Sequence, residues 1–268
     1  MSILKLYRLI NVLSLDVVLG AFCSAVFFAR VFGSPVNVSV MTALCLAVWT
    51  VYTIDHLYDG AISAGEPSGR RHLFHRRHAV PLRIASCVGI CAAALIAVQL
   101  PRTIIFSGLA LLIPVFIYLL LHRKIAFLKE GVISLLYTIG VLIPSFSVQK
   151  LDSEKATLIL AFFLIAFLNL LIFSWFDYRN DMRDGHNSAA TFFGRKRSRY
   201  LIWIIFAAII VLLVFQGVSA ASLILLSMTL LHVLMFTFSD FFAIEERFRL
   251  AGEAIFFLPI LLIWIQNK

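Results

Sequence analysis

The stretch ATLILAFFLIAFLNLLIFSWF, residues 156–176, carries no charged side chain and is followed at once by DYRNDMRDG, residues 177–185. About 20 consecutive apolar residues are enough for a helix to cross the hydrocarbon core of a bilayer. The first stretch therefore predicts a membrane-spanning helix. The second stretch places a cluster of carboxylates where that helix leaves the membrane.

The whole chain has the composition of an integral membrane protein. Of its 268 residues, 62% are hydrophobic and 14% are charged, and the mean hydropathy is +0.98, whereas soluble domains carry about 25% charged residues. We predict an all-α bundle of about nine transmembrane helices with a cytoplasmic polar cap, in a single polytopic domain over residues 1–268. The predicted spans are 10–32, 36–54, 82–100, 102–121, 129–148, 156–176, 200–216, 219–239 and 249–266. A transmembrane barrel would need alternating strands of about 10 residues, and the sequence shows none.

The basic residues set the predicted orientation in the membrane. A net charge of +9 and a pI near 9.7 can indicate nucleic-acid binding, but the basic residues lie in short connections between spans, so we predict no nucleic-acid partner. Placing the N-terminus in the cytoplasm puts 18 of the 23 Lys and Arg residues on that side. The positive-inside rule therefore predicts a cytoplasmic N-terminus. No signal-peptide cleavage site follows the first apolar run, and we expect a bacterial inner membrane.

Two acidic clusters follow long apolar segments on the predicted cytoplasmic side. Asp55 and Asp59 follow the second span, and Asp177, Asp181 and Asp184 follow the sixth. Residues at i, i+4 and i+7 share one face of a helix. Four spans separate the clusters, and an even number returns the chain to the same side of the membrane. We therefore expect both clusters to line one cavity.

A weak internal repeat surrounds the two clusters. The first unit has its acidic motif at 55–59 and a connection that reaches residue 80, and the second has its motif at 177–184 and a connection that reaches residue 199. Each connection becomes basic after its acidic motif, with Arg70 and Arg71 in the first. The pattern predicts two equivalent halves of one polar site.

Carboxylates next to arginines at a membrane face suit a magnesium-bound diphosphate. Mg²⁺ prefers octahedral oxygen ligands and commonly joins one or two carboxylates to substrate phosphates. The candidate ligands are Asp55, Asp59, Asp177, Asp181 and Asp184. Asp184 is alternatively a turn residue before Gly185. Arginine binds phosphate oxygens bidentately, and metal and arginine together stabilise the charge that grows on a departing diphosphate.

Several side chains near the clusters are candidate substrate contacts. Tyr52, Tyr58 and Tyr178 flank the carboxylates, where aromatic faces can shield a carbocation, although aromatic residues are also ordinary packing material in a membrane protein. Lys129 can reach a diphosphate from the connection after span four. Asp16 lies inside the first span, where an acid either faces the cavity or makes a structural hydrogen bond to another span.

Two further features receive structural interpretations. Glu253 is expected to form an ion pair with Arg249 at i, i+4. His72, His75 and His78 recur at every third position, and we interpret them as part of a basic loop that attracts phosphate rather than as a metal site.

The second acidic region resembles the second motif of the UbiA-type intramembrane prenyltransferases. The matching residues are Asp177, Asp181, Gly185, Ser188 and Gly194. Asp55 and Asp59 are similar to the last half of the family's first motif, Asn-Asp-x-x-Asp-x-x-x-Asp. Val51 and Tyr52 stand where that motif has its leading Asn and Asp. The likeness covers most of the chain, and only its first motif is incomplete.

The resemblance implies an activity, a cofactor and a set of roles. It implies that a prenyl group passes from a polyprenyl diphosphate to an aromatic or other small hydrophobic acceptor, with Mg²⁺ as cofactor. Asp55, Asp59, Asp177 and Asp181 would hold the metal and carry catalysis. The diphosphate would be held by Arg70, Arg71, Arg123 and Lys124. Arg123 and Lys124 follow Tyr118 by five and six residues, which is similar to a tyrosine and basic cluster found in this family.

Two other classes of protein are alternatives. A transporter or lipid-binding protein could use the same cavity without chemistry, which the incomplete first motif favours. CDP-alcohol phosphotransferases also act on diphosphates in membranes, but their motif continues Asp-Gly-x-x-Ala-Arg. Here Asp59 and Gly60 are followed by Ala-Ile-Ser-Ala, so this class fits poorly.

Overall fold

The computed structural model describes residues 3–62, 69–121, 128–145 and 151–266, which contain helices and connections but no strand. The helices are α1 (Ile3–Val12), α2 (Leu15–Val31), α3 (Val38–Ile62), α4 (Arg70–Arg77), α5 (Ala79–Ala97), α6 (Arg102–Leu121), α7 (Lys129–Leu142), α8 (Ser153–Asp184), α9 (Ala189–Phe193), α10 (Arg195–Gln216), α11 (Ala220–Thr237), α12 (Ser239–Ala243), α13 (Arg247–Ile255) and α14 (Leu261–Gln266). Short 3-10 turns occur at Ile143–Ser145, Ile244–Glu246 and Leu258–Ile260. The all-α prediction is confirmed.

The predicted count of nine spans is not confirmed. Seven helical segments of the described residues are long and apolar enough to cross a membrane, the last being the interrupted segment Ser239–Ile265. Helices α1 and α2 make an eighth if they count as one span, although they are bent by 78°. The predicted fifth span is helical only to Leu142 and tightens into a 3-10 turn at Pro144, because proline has no N–H to continue the helix.

Both acidic clusters lie on helices that continue beyond their apolar segments. Helix α3 extends to Ile62, and α8 runs without a break from Ser153 to Asp184. Gly185 ends α8 with a φ of 70°, and the His186 N–H donates to the Asp181 carbonyl at 2.9 Å. Glycine reaches this left-handed conformation without steric cost. Each pair of i, i+4 carboxylates therefore projects from a regular helical end.

Helix α8 lies at the centre of the bundle and contacts α7, α9, α10, α11 and α13. Its Phe162 is fully buried and packs edge-on against Phe28 of α2 at 5.1 Å between ring centroids. In contrast, α5 and α6 point large apolar side chains outward, as at Ile84 and Phe106. Such outward faces suit lipid, while the aromatic core around α8 fixes the helices that carry the polar side chains.

Gly252 permits the close approach of α13 to α8. A Cβ at this position would lie 2.5 Å from both Asn169 Oδ1 and the Phe173 ring. We expect Gly252→Ala to lower the free energy of unfolding by about 1–3 kcal/mol, the usual cost of overpacking, seen as a lower melting temperature in detergent. Gly108→Ala in α6 is the control, since a Cβ there has nothing within 4 Å; equal losses in both variants would contradict the expectation.

Candidate active site

The two acidic clusters line one cavity of about 180 Å³. Asp55 and Asp59 enter it from α3, and Asp177 and Asp181 enter it from α8. Asp59 and Asp177 are buried, with 6% and 8% of their surfaces exposed. Buried carboxylates cost free energy unless cations or hydrogen-bond donors meet them, so the cavity needs positive partners.

Three cationic side chains lie among these carboxylates. The Arg249 Nη2 donates to Asp177 Oδ2 at 2.5 Å, and the Lys129 Nζ lies 3.8 Å from Asp59 Oδ2. Arg71 of α4 also lines the cavity and is 5% exposed. Its Nε and Nη2 have no hydrogen-bond partner within the described residues. A buried guanidinium with free donors is prepared to bind an anion such as a phosphate.

Helix α4 carries His72, which lines the cavity, and His75, which is fully buried outside the lining. His72 lies 5.5 Å from His56 and 5.6 Å from His186 between ring centroids, and His75 lies 5.1 Å from His56. Burial lowers the pKa of His72 to about 3 and also lowers the pKa of His75. His72 and His75 are therefore neutral at pH 7. They lie on helix α4, whereas the sequence predicted them in a positively charged loop.

The turn after α8 is held rigidly at the rim of the cavity. Ser188 caps the five-residue helix α9 through a reciprocal capping box with Thr191. The Ala189 N–H donates to Glu130 Oε1 at 2.7 Å, and the Ala190 N–H donates to Ser174 Oγ at 2.9 Å. Because α7 and α8 both anchor this turn, the Ser188 of the second motif keeps a fixed place in the cavity wall.

Aromatic and other apolar side chains line the part of the cavity away from the acidic helix ends, which we call its lower part. Tyr52 and Phe173 line it about one helical turn before Asp55 in α3 and Asp177 in α8. Tyr137 and Phe256 line it from α7 and from the end of α13. Tyr137 and Phe256 meet edge-on with centroids 5.8 Å apart. The cavity therefore joins a charged upper part to an apolar lower part, which is the polarity of a molecule with an anionic head and a hydrocarbon tail.

Several predicted contacts lie in the cavity wall and others lie elsewhere. Tyr52, Arg71 and Lys129 line the cavity together with the four carboxylates. Arg70 is exposed, and Tyr58 is 43% exposed; neither is part of the lining. Consecutive residues on a helix are about 100° apart, so one of two neighbours turns away.

Tyr178 and Asp184 are also absent from the lining. Tyr178 follows Asp177 and points to another side of α8, whereas Asp184 lies beyond the cavity and 3.6 Å from the Arg183 Nε. Arg123 and Lys124 lie outside the described residues.

Asp16 is fully buried at the bend between α1 and α2. It accepts hydrogen bonds from the Asn11 side chain and from the Val17 N–H. It is not part of the cavity lining. Both hydrogen bonds are local, because Asn11 and Val17 belong to the same predicted first span as Asp16, and neither is the bond to another span that the sequence suggested.

Sequence reasoning missed the role of α13. Arg249 was expected to pair with Glu253, but it bonds to Asp177 and lies 3.7 Å from Glu246. Glu253 itself lines the cavity. The sequence did show Arg249 four residues before Glu253 at the start of a span. That spacing predicted an ion pair between the two residues, and it gave no indication that each of them contacts the cavity.

The carboxylates suit a metal ion that is shared with a phosphate. Within the described residues, no three His, Cys, Asp or Glu side chains form a group that could hold a metal unaided. Mg²⁺ usually takes only one or two carboxylates and fills its remaining positions with water and phosphate. Asp55, Asp59, Asp177 and Asp181 open onto the cavity in two pairs, and such a donor set fits this mode.

The fold and the site together make this a polytopic membrane protein that has a polar site inside its helical bundle. The chain belongs to the UbiA prenyltransferase family, whose sequence profile matches residues 17–261. The family resemblance drawn from the two motifs is thereby confirmed. No curated protein sequence matches the chain significantly.

Solved structures of UbiA homologues share the fold. The apo homologue from Aeropyrum pernix K1 is 16% identical with a TM-score of 0.69, over 94% of this chain and 98% of that one. A homologue from Archaeoglobus fulgidus bound to GPP and Mg²⁺ is 16% identical with a TM-score of 0.64, over 92% and 98%. A UbiA homologue from Archaeoglobus fulgidus bound to DMAPP and Mg²⁺ is 14% identical with a TM-score of 0.61, over 96% of this chain and 99% of that one. At these identities the likeness establishes the fold.

Proposed function

We propose that this protein transfers a prenyl group from a polyprenyl diphosphate to an aromatic or other small hydrophobic acceptor in a Mg²⁺-dependent reaction. The observation that carries the proposal is that one cavity is lined by the four Asp carboxylates of the two clusters, by three cationic side chains and by aromatic rings. The A. fulgidus homologue structures bound to GPP or to DMAPP with Mg²⁺ support the same reading of this cavity.

The upper part of the cavity would hold the diphosphate. Asp55 and Asp59 face Asp177 and Asp181 across it and would hold Mg²⁺, which when bound neutralises diphosphate charge and favours its departure. Arg71 would donate its free nitrogens to phosphate oxygens. Arg71 and Lys129 stabilise the negative charge that develops on the leaving group more strongly than that of the intact donor, which lowers the barrier.

The lower part of the cavity would hold the reacting end of the prenyl chain. Phe173 and Tyr137 supply aromatic surface that excludes water and faces a developing allylic cation. Tyr52 contributes a phenol at the position where the family motif has an acid. Tyr52 is therefore a neutral wall residue in this protein, and the first cluster works with Asp55 and Asp59 alone.

Donor turnover with and without the metal tests the function. Purified protein in detergent, given GPP as donor and hydroquinone as acceptor, is expected to release diphosphate in the presence of Mg²⁺. The rate should fall about 100-fold or more when EDTA removes the metal, because metal-assisted departure contributes several kcal/mol. Release is followed with a coupled diphosphate assay, and excess Mg²⁺ should restore it.

The same assay separates catalysis from binding alone. Protein that binds GPP but releases no diphosphate would favour a transporter or lipid-binding protein, the alternative suggested by Val51 and Tyr52. Equal release with Mg²⁺ and with EDTA would contradict a metal-dependent reaction.

We further propose that both acidic helix ends face the cytoplasm of a bacterial inner membrane and that residues 1–268 act as a single domain. The distribution of Lys and Arg between the connections supports this orientation. The structure adds that α4 and α9 follow α3 and α8 respectively, so each acidic helix end leads into a short helix.

A further inference from the structure

Glu253 is a buried carboxylate that neither cluster accounts for. It is 9% exposed and lines the cavity from α13. Arg249, its expected partner, bonds to Asp177 instead, and within the described residues no hydrogen bond or ion pair reaches the Glu253 carboxylate, although its backbone carbonyl accepts from the Phe256 N–H. Burying a carboxylate this deeply costs free energy unless a hydrogen-bond donor meets it. We therefore expect a ligand in the cavity to supply that donor to Glu253.

The contacts of α13 fix the depth of Glu253. Arg249 meets Asp177 of α8, and Gly252 lies against Phe173, one turn of α8 further from the acidic end. Helix α13 therefore runs away from the charged rim as it proceeds, and Glu253 lies about 6 Å beyond Arg249 along the helix. Its level is the boundary between the charged upper part and the aromatic lower part.

This boundary is where the reacting carbon of a bound donor would lie. With the diphosphate between the Asp pairs, the prenyl C1 would point away from the acidic helix ends, toward Phe173 and Tyr137, which also line the cavity. An acceptor must approach C1 at the same level. Glu253 is therefore placed to contact the acceptor rather than the diphosphate.

The surrounding charges favour a neutral acceptor. Asp16, Arg71 and Arg249 are the charged groups near enough to act electrostatically on Glu253, and Arg249 is already paired with Asp177. Positive and negative groups therefore both lie near Glu253, and neither sign stands alone. The ionisable rings around it are Tyr7, Tyr52 and Tyr137. A flat, uncharged ring that offers a hydroxyl donor matches this environment better than an ammonium ion or a carboxylate does.

We propose that Glu253 binds the hydroxyl of a neutral aromatic acceptor and takes the proton that prenyl transfer releases. The inference rests on the proposed function. The C1–O bond of the donor breaks and its electron pair leaves with the diphosphate. An electron pair of the acceptor forms the new bond to C1, and the acceptor's proton passes to the Glu253 carboxylate, which returns it to water after the product leaves.

The test uses GPP as donor, hydroquinone as acceptor, and the variant Glu253→Gln in the full-length protein with Mg²⁺. The amide keeps the size of the side chain but is not a base. Without hydroquinone, water enters the empty acceptor space and attacks C1, and this slow diphosphate release is expected to stay within threefold of the unsubstituted protein. Prenyl transfer to hydroquinone is expected to fall about 100-fold or more. Glu154→Gln, the same change at an exposed site at the start of α8, should alter neither rate.

Each outcome bears on a different claim. Transfer within threefold of the unsubstituted rate in Glu253→Gln would overturn the role of Glu253, and an equal fall of both rates would assign it to the donor site instead. If the unsubstituted protein releases diphosphate but prenylates no hydroquinone, the neutral aromatic alcohol is the wrong class. If the unsubstituted protein releases no diphosphate at all, the proposed function itself fails.

Discussion

Changing both Asp177 and Asp181 to Asn is expected to reduce Mg²⁺-dependent diphosphate release from GPP at least about 1,000-fold. The double variant removes both anionic ligands that α8 presents to the cavity. Loss of one preorganised charge-stabilising group typically costs about 10²–10³ in rate, and two such groups act on the same leaving group. The measurement is the initial rate of diphosphate release at saturating GPP.

The amide replacements keep the shape of the two side chains, but Asp177→Asn removes the counter-charge of the buried Arg249 and is expected to lower the free energy of unfolding. The rate is therefore measured on protein that elutes in detergent as the unsubstituted protein does. Asp240→Asn is the control, because Asp240 is an exposed residue of α12 away from the cavity. A double variant that keeps more than a tenth of the unsubstituted rate would remove the second cluster from the mechanism.

Arg249→Met is expected to lower the free energy of unfolding by about 3 kcal/mol, because it leaves the buried Asp177 carboxylate without its cation. The Arg249–Asp177 contact is 2.5 Å long and both side chains are largely buried. Adding Asp177→Asn to Arg249→Met should recover most of the loss, since an amide needs no counter-charge. Unfolding in detergent with rising denaturant gives the two values.

Arg247→Met is the matched control for the Arg249 cycle. Arg247 lies two residues away on α13 and stacks over Phe241 at 4.6 Å, and such a contact is worth about 0.5–1 kcal/mol. If Arg247→Met costs as much as Arg249→Met, or if the double variant is no more stable than Arg249→Met alone, the ion pair is not what stabilises this helix.

The sequence predicted the parts of the site that depend on regular helical geometry. Asp55 and Asp59 share a helical face, as Asp177 and Asp181 do, because residues four apart lie above one another. Counting spans then brought the two pairs to one side of the membrane. These inferences need only local periodicity and the length of each apolar segment, and both are visible in a single sequence.

The sequence could not predict which neighbours turn toward the cavity. Arg70 and Arg71 are adjacent and chemically alike, yet only Arg71 lines the cavity. The choice depends on the rotation of α4 about its own axis, which is set by packing against α3. Arg249 was missed for a related reason: it meets Asp177 across 72 positions in the chain, and local spacing offered Glu253 as the nearer partner.

Helix α8 is longer than the membrane is thick. Its 32 residues rise about 48 Å, against a hydrocarbon core of about 30 Å. The uncharged stretch 156–176 suits the hydrocarbon core, which places the end that carries Asp177 and Asp181 at the lipid headgroups, where an anionic head can be hydrated while its hydrocarbon tail remains dissolved in the bilayer. The proposed prenyl diphosphate donor would then reach the protein by two-dimensional diffusion. Its effective concentration is then its mole fraction among the lipids, so the occupancy of the protein depends on how much membrane the donor is diluted into rather than on the volume of the surrounding water.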